Sequence, residues 1–418
     1  ALTLIVEAES DGKKQNHVLP VGVVDPPGPL NPRFGINIDA TDRFNADRVI
    51  ALLKPFRIGS VRLWDFRDPV RFHKAGFFTL LNVGSFNPNP KEQFFLPRDY
   101  SLWKELLKKK IETVKGAVDV YELLNEPNIW SGRSPNPDPS RLTEANAETV
   151  AECAKALAPV IRRADPGAKI AGPTPCKTVV SWIETVLGKG AADCYDILSE
   201  HPYRQLPELP DYGEDLRSLS KAVARFGKPY AFYGTEAGRA YPSHSPNNLL
   251  PERARLFVAR DIRNHLIGFA NGLEKYFHYS AGGGIIAGTN WHVILAGNGD
   301  SNCAPHPGPL LFAVRAAADR LESAVPAGQV RIGVDCRCFI FDRSDRRIAV
   351  LWKWNGKPDP IHFSRKFRAY DMMGSRVDGD RFLLSEYPVY LESELPVREL
   401  AKVIGSARRP VTGEVVQT

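Results

Sequence analysis

The run Val118-Asp119-Val120-Tyr121-Glu122-Leu123-Leu124-Asn125-Glu126-Pro127 decides how the rest of the chain is read. Its near-continuous apolar character is that of a parallel strand covered on both faces. Pro127 has no N–H to give to a ladder, so pairing stops there. The run predicts a strand over residues 118–126 that delivers the carboxylate of Glu126 to its C-terminal tip. In parallel α/β folds that end of a strand is where chemistry is kept.

Working outward, seven more strand-like runs lie at 34–37, 60–64, 77–84, 169–173, 196–203, 230–236 and 275–280. Helical patterns separate them. Trp103, Leu107, Ile111 and Val114 fall 4, 4 and 3 apart, and Val150, Cys153, Leu157 and Val160 do much the same behind an N-cap candidate at Thr143. Pro159 is predicted to bend or shorten that second helix, and a further helix is predicted at about 308–324. Eight strands alternating with helices is the number a closed (β/α)8 TIM barrel needs. An open doubly wound sheet competes, but Phe34-Gly35-Ile36-Asn37-Ile38-Asp39 supplies no G-x-G-x-x-G after the first strand. The barrel is assigned to 33–325.

After about Gly328 the pattern changes to short strands at 331–341, 347–354, 361–370 and 387–393, with turn residues between them. This is an additional all-β, sandwich-like module. Two strand-like runs at 2–8 and 17–24 precede a Pro-rich stretch and are expected to join it, giving one all-β domain from 1–32 plus 326–418.

At 418 residues, with 43% hydrophobic and 25% charged residues, the chain is an ordinary globular protein with no run long enough to span a membrane. A net charge of +7 lacks a basic cluster or an RNA-binding signature, so nucleic acid is not the expected partner. The six Cys show no C-x-x-C and no zinc spacing. Cys336 and Cys338 sit two apart on one face of a strand, where they read as small core residues. Two Met and a start at Ala1 are compatible with a removed signal.

The seventh strand candidate ends Tyr230-Ala231-Phe232-Tyr233-Gly234-Thr235-Glu236-Ala237-Gly238, which places a second carboxylate, Glu236, at a tip. A barrel delivers every strand's C-terminal end to one face, so Glu126 and Glu236 would converge across its mouth. Two facing carboxylates are the equipment of glycosidic bond cleavage: one protonates the leaving oxygen, the other attacks or stabilises the cationic centre. Tyr233, three residues before Glu236, is a candidate donor to it, with a core aromatic as the alternative. Strict alternation would put Asn125 and Glu126 on opposite faces, so both serve a ligand only if the strand ends or bulges there.

The arrangement over about 33–325 resembles clan A, the large clan of retaining (β/α)8 glycoside hydrolases whose acid/base follows Asn on strand four and whose nucleophile ends strand seven. The added β-domain resembles that of the β-xylosidase and α-L-iduronidase family and of related hydrolases of biofilm exopolysaccharide. The resemblance implies Glu126 as acid/base, Glu236 as nucleophile and Asn125 as ligand of the sugar 2-hydroxyl. It implies that Arg62, within Val61-Arg62-Leu63-Trp64, holds the nucleophile ionised, since a nearby positive charge lowers a carboxylate pKa. His201 and Tyr203, in His201-Pro202-Tyr203 at the end of strand six, would contact the acid/base and the substrate. Leu80-Leu81-Asn82-Val83-Gly84 lacks the His that some cellulase-like members carry on strand three.

Aromatics near the tips (Trp64, Phe86, Trp130, Tyr241, Trp291) are candidate sugar platforms, Trp130 and Trp291 foremost. The implied activity is a retaining, endo-acting glycosidase on a bacterial polysaccharide, periplasmic or secreted, needing no metal or organic cofactor. An exo-acting β-xylosidase-like enzyme is the alternative within the class. A silent carbohydrate-binding barrel and an interaction scaffold are the alternatives outside it.

Overall fold

In the computed structural model eight parallel strands close into a barrel in chain order: Asn31–Ile38, Ile58–Leu63, Phe78–Asn82, Val120–Glu122, Lys169–Cys176, Ile197–His201, Ala231–Ala237 and Leu273–His278. They are called strands one to eight below. The structure describes residues 2–10, 13–21, 28–38, 46–84, 100–129, 144–238, 241–242, 251–279, 289–290, 295–296, 306–307 and 309–408. Strand four is shorter than its apolar run. Only Val120, Tyr121 and Glu122 join the ladders to both neighbours. Beyond them the chain is tied by single bonds, such as Leu123 N–H to the Ala171 carbonyl at 3.2 Å.

Period-two alternation decides which side chains fill the barrel. Leu80, Val120, Ala171, Ile197, Tyr233 and Phe277 form one inner cluster. Their neighbours Leu81, Tyr121, Ile170, Leu198 and Tyr276 face the helices and belong to the main core. Gly35 makes room for this packing, because a Cβ there would lie 2.4 Å from the Phe277 ring.

The helix Ser101–Val114 buries Trp103, Leu107, Ile111 and Val114, the four residues spaced for it. The helix Glu144–Ala164 runs through Pro159 without being shortened. Pro159 costs the helix one N–H bond, and burial of Val150, Cys153, Leu157 and Ile161 outweighs that loss. Thr143 lies outside the described residues. The last barrel helix is Pro309–Leu321.

The C-terminal module is a six-stranded antiparallel sheet ordered Val325–Gln329, Cys336–Asp342, Arg347–Lys353, Val389–Ser393, Asp359–Tyr370, Gly379–Leu384. Alternation splits its faces. Phe339, Phe341, Ile348, Val350, Trp352 and Tyr390 extend the core of the barrel. Cys336, Cys338, Ile340, Ala349 and Leu351 form a second core with Leu400 and Ile404 of the helix Val397–Gly405. Trp352 Nε1 donates to Glu208 Oε1 at 2.8 Å, and the buried Arg263 pairs with the same carboxylate at 2.9 Å. Sheet and barrel thus share one interior.

The N-terminal runs Leu2–Ser10 and Lys13–Val21 pair with each other as an antiparallel hairpin, not as members of the six-stranded sheet. Ser10 pairs with Lys13, so each strand finds its partner in the next one along the chain.

Candidate active site

Arg62 organises the barrel mouth. Second from the end of strand two, it points inward and is fully buried. Its Nε donates to Glu122 Oε2 at 2.7 Å, and Nη1 to Asn37 Oδ1 at 2.8 Å and to Glu236 Oε2 at 2.7 Å. Nη2 donates to Asn125 Oδ1 at 2.7 Å. The guanidinium also stacks over the Trp64 ring, 4.4 Å from its centroid. A buried guanidinium with every edge engaged is a fixed point of geometry and of charge.

Glu122 supplies part of the compensation. It shares the inward face of strand four with Val120, and Asn82 Nδ2 donates to its Oε2 at 2.9 Å. Burial pushes its carboxyl up, but the charges of Arg62 and His201 and the bond from Asn82 hold it below the ordinary range.

Both tip glutamates reach the mouth through breaks in strand regularity. Glu126 has φ 49°, a left-handed conformation uncommon for a non-glycine residue. Its N–H donates to the Thr174 carbonyl at 2.9 Å, and the short helix Pro127–Ile129 follows. That turn resolves the alternation problem, since Asn125 and Glu126 now face the same space. On strand seven, Tyr276 pairs with Gly234 and His278 with Ala237, so three residues advance against two. The bulge brings Glu236 onto the inner face although Tyr233 already points inward.

His201 and Tyr203 complete the set. His201 Nδ1 lies 2.9 Å from Glu126 Oε1 and 3.7 Å from Glu236 Oε2. The Tyr203 hydroxyl donates to Glu236 Oε1 at 2.6 Å. Burial, then the charge of Glu236, pushes this phenol well up, so it keeps the proton it donates. Burial alone would raise the Glu126 carboxyl; the His201 hydrogen bond and charge, the Cys176 thiol and Arg62 bring it below the usual carboxylate range.

Oxygens of Glu126 and Glu236 lie within 4.8 Å of one another, with His201 in the same group. Such a trio can in principle hold a cation. Here both Glu236 oxygens already accept from Arg62 and Tyr203, and the guanidinium charge opposes an ion beside it. We assign no metal to it.

Of the residues singled out from sequence, Arg62, Asn125, Glu126, His201, Tyr203 and Glu236 meet in this one constellation. Tyr233 does not. It lies deeper in the barrel with Leu80 and Val120, its ring 6.3 Å from that of Phe78, and Tyr203 takes the place of donor to Glu236. Phe86, Trp130 and Trp291 lie outside the described residues, and Tyr241 is described only through its strand pairing with Asn290. Asn37, Asn82 and Glu122 were not anticipated. The available signal was a polar residue on the inward register at the last or next-to-last position of an otherwise apolar strand.

Residues 83–209, which carry the tips of strands four, five and six, match the model of glycoside hydrolase family 44. Among solved structures, the fold is similar to a family 30 endoxylanase from Clostridium papyrosolvens, with TM-score 0.56, 12% identity, and coverage of 88% of this chain and 97% of that one. It is also similar to a family 39 β-xylosidase from Caulobacter crescentus, with TM-score 0.54, 12% identity, and coverage of 89% and 98%. A Paenibacillus polymyxa xyloglucanase of family 44 gives TM-score 0.51 at 12% identity, covering 88% and 97%. No curated protein sequence matches significantly. With a glycoside hydrolase family model matched across three strand tips of a closed (β/α)8 barrel, the chain is a glycosidase.

Proposed function

We propose that the protein cleaves a polysaccharide by double displacement with retention, Glu236 acting as nucleophile and Glu126 as acid/base. The observation that carries this reading is the closeness of the two carboxylates, one oxygen of each lying within 4.8 Å of the other. Retaining enzymes hold the pair about 5 Å apart, whereas inverting enzymes leave roughly 6.5–9.5 Å for an intervening water.

The chemistry follows from the contacts. Arg62 and Tyr203 each donate to one Glu236 oxygen, which fixes the carboxylate's plane and complements its charge. Glu236 attacks the anomeric carbon while Glu126 gives its proton to the departing glycosidic oxygen. Glu126, now a carboxylate, takes a proton from water, and that water's oxygen displaces Glu236 by attacking from the opposite face of the sugar, the face the leaving group vacated. Asn125 Oδ1 is engaged by Arg62, which turns the amide N–H groups to the sugar 2-hydroxyl.

The finer reading is endo action on a bacterial exopolysaccharide, with the protein periplasmic or secreted, where such polymers lie. It is supported by the short connections after strands two and five, which fit an open groove. Exo action is the runner-up, and product length separates the two.

The test is a panel of polysaccharides and aryl glycosides, run with wild type and Glu236→Gln and read by product length and anomer. Glu126→Gln is expected to lose about 10²–10⁴-fold on substrates with poor leaving groups and much less on activated aryl glycosides. Turnover retained by Glu236→Gln, or an inverted product, would overturn the mechanism.

A further inference from the structure

We propose that the Cys176 thiol is a positioning group for Glu126: clamped at the tip of strand five by Asn128, it donates a hydrogen bond to the Glu126 carboxyl and tunes its proton exchange. The inference rests on Glu126 being the acid/base.

Three features of strand five aim the thiol. Thr174 and Lys177 hold φ of 58° and 65°, so the strand's end is bent in two places. Register with strand six slips between Pro173 and Cys176, which brings Cys176 opposite His201. Cys176 and His201, whose ring nitrogen bonds the Glu126 carboxyl, therefore stand side by side on adjacent tips.

Asn128 then locks Cys176 to the turn that carries Glu126. Its Nδ2 donates to the Cys176 carbonyl at 3.1 Å, and its Oδ1 accepts from the Cys176 N–H at 2.8 Å. With Glu126 N–H on the Thr174 carbonyl, the tips of strands four and five are joined at three points. This brace seats Cys176 beside His201 and next to Glu126, where thiol and carboxyl act on each other electrostatically.

The chemistry of the sulfur suits a donor. Burial, then the charge and hydrogen bond of Glu126, pushes the thiol up to about 12. It keeps its proton where a carboxyl exchanges one, so it acts as a weak S–H donor and not as a thiolate nucleophile. Glu126 also faces His201 from strand six, Arg62 from strand two and Glu236 from strand seven; the thiol faces Lys177 and Glu236 as well. His201 provides the main hydrogen bond and Cys176 a smaller adjustment to the same group.

The test compares pH profiles of kcat/KM for wild type, Cys176→Ala and Cys176→Ser, on a poor-leaving-group glycoside and an activated one. The same substitutions are repeated in Glu126→Gln. Removing a donor to the carboxylate form raises the Glu126 pKa. Cys176→Ala is therefore expected to move the alkaline limb up by roughly 0.5–1 pH unit, the size of a weak charge-assisted bond. Cys176→Ser, which retains a donor, returns the limb towards wild type, and in Glu126→Gln neither change moves the profile. An Ala profile that overlays wild type, or equal shifts for Ala and Ser, overturns the proposal. If Glu126→Gln fails to discriminate between the two leaving groups, the acid/base assignment itself falls, a result distinct from a silent Cys176.

Discussion

Arg62 serves Asn37, Glu122, Asn125 and Glu236 at once from a position without solvent, so its loss is felt twice. Arg62→Met leaves Glu122 as a buried charge without its partner, and stability is expected to fall by roughly 3–5 kcal/mol. Adding Glu122→Gln removes that charge and should recover a substantial part, while turnover stays lost because Glu236 remains unheld. Chemical denaturation of the single and double variants checks this; equal instability in both contradicts it. His201 acts on the proton. It stabilises the ionised form of Glu126, whose carboxyl is held low, so the protonated acid exists only on the acid side and the optimum is expected there. His201→Phe removes that stabilisation, raises the Glu126 pKa and shifts the alkaline limb of kcat/KM to higher pH. An unmoved limb would show that His201 does not set it.

Elements decide whether these side chains meet. Gly84, just past strand three, is backed against strand four: a Cβ there would lie 2.6 Å from Leu124 Cα. Gly84→Ala must therefore push the backbone that leads into Asn125 and Glu126. We expect kcat to fall roughly ten- to a hundredfold through misplacement, alongside about 1–3 kcal/mol of overpacking. Wild-type kcat in a stably folded Gly84→Ala would contradict that coupling. The same elements explain what could be read beforehand. Strand order and the tip positions of Glu126 and Glu236 follow from apolar runs and Pro127, which are local signals. The inward turn of both glutamates does not, because it depends on a left-handed residue and a bulge that no composition marks. Tyr233 fails as a donor through depth: the bulge leaves it on the same inner face as Glu236 but lower in the barrel, where it packs as the core aromatic that was the alternative. Asn128 and Cys176 were invisible because their partnership joins residues 48 apart through backbone groups.

At the scale of the molecule, the barrel and sheet share a continuous core, and two buried histidines stack against each other, His265 on the helix behind strand eight and His278 at that strand's end. Burial holds His265 down at about 4 and His278 well below its ordinary value. The unfolded chain takes up these protons near pH 6.5, whereas the folded chain resists until pH is lower. Their contribution is complete above pH 6.5 and is lost as pH falls towards 4, so denaturant midpoints should drop across that window. Midpoints that stay level between pH 7 and pH 4.5 would contradict this.

The same closed barrel carries the central claim, that Glu236 bonds covalently to the sugar. The most direct measurement is intact-protein and peptide mass spectrometry after exposure to a panel of 2-deoxy-2-fluoro aryl glycosides, whose intermediates hydrolyse slowly. The account predicts one fluorosugar per chain, mapped to the peptide containing Glu236 and absent from Glu236→Gln. A label on another residue, or turnover with an inverted anomer and no adduct, would contradict it.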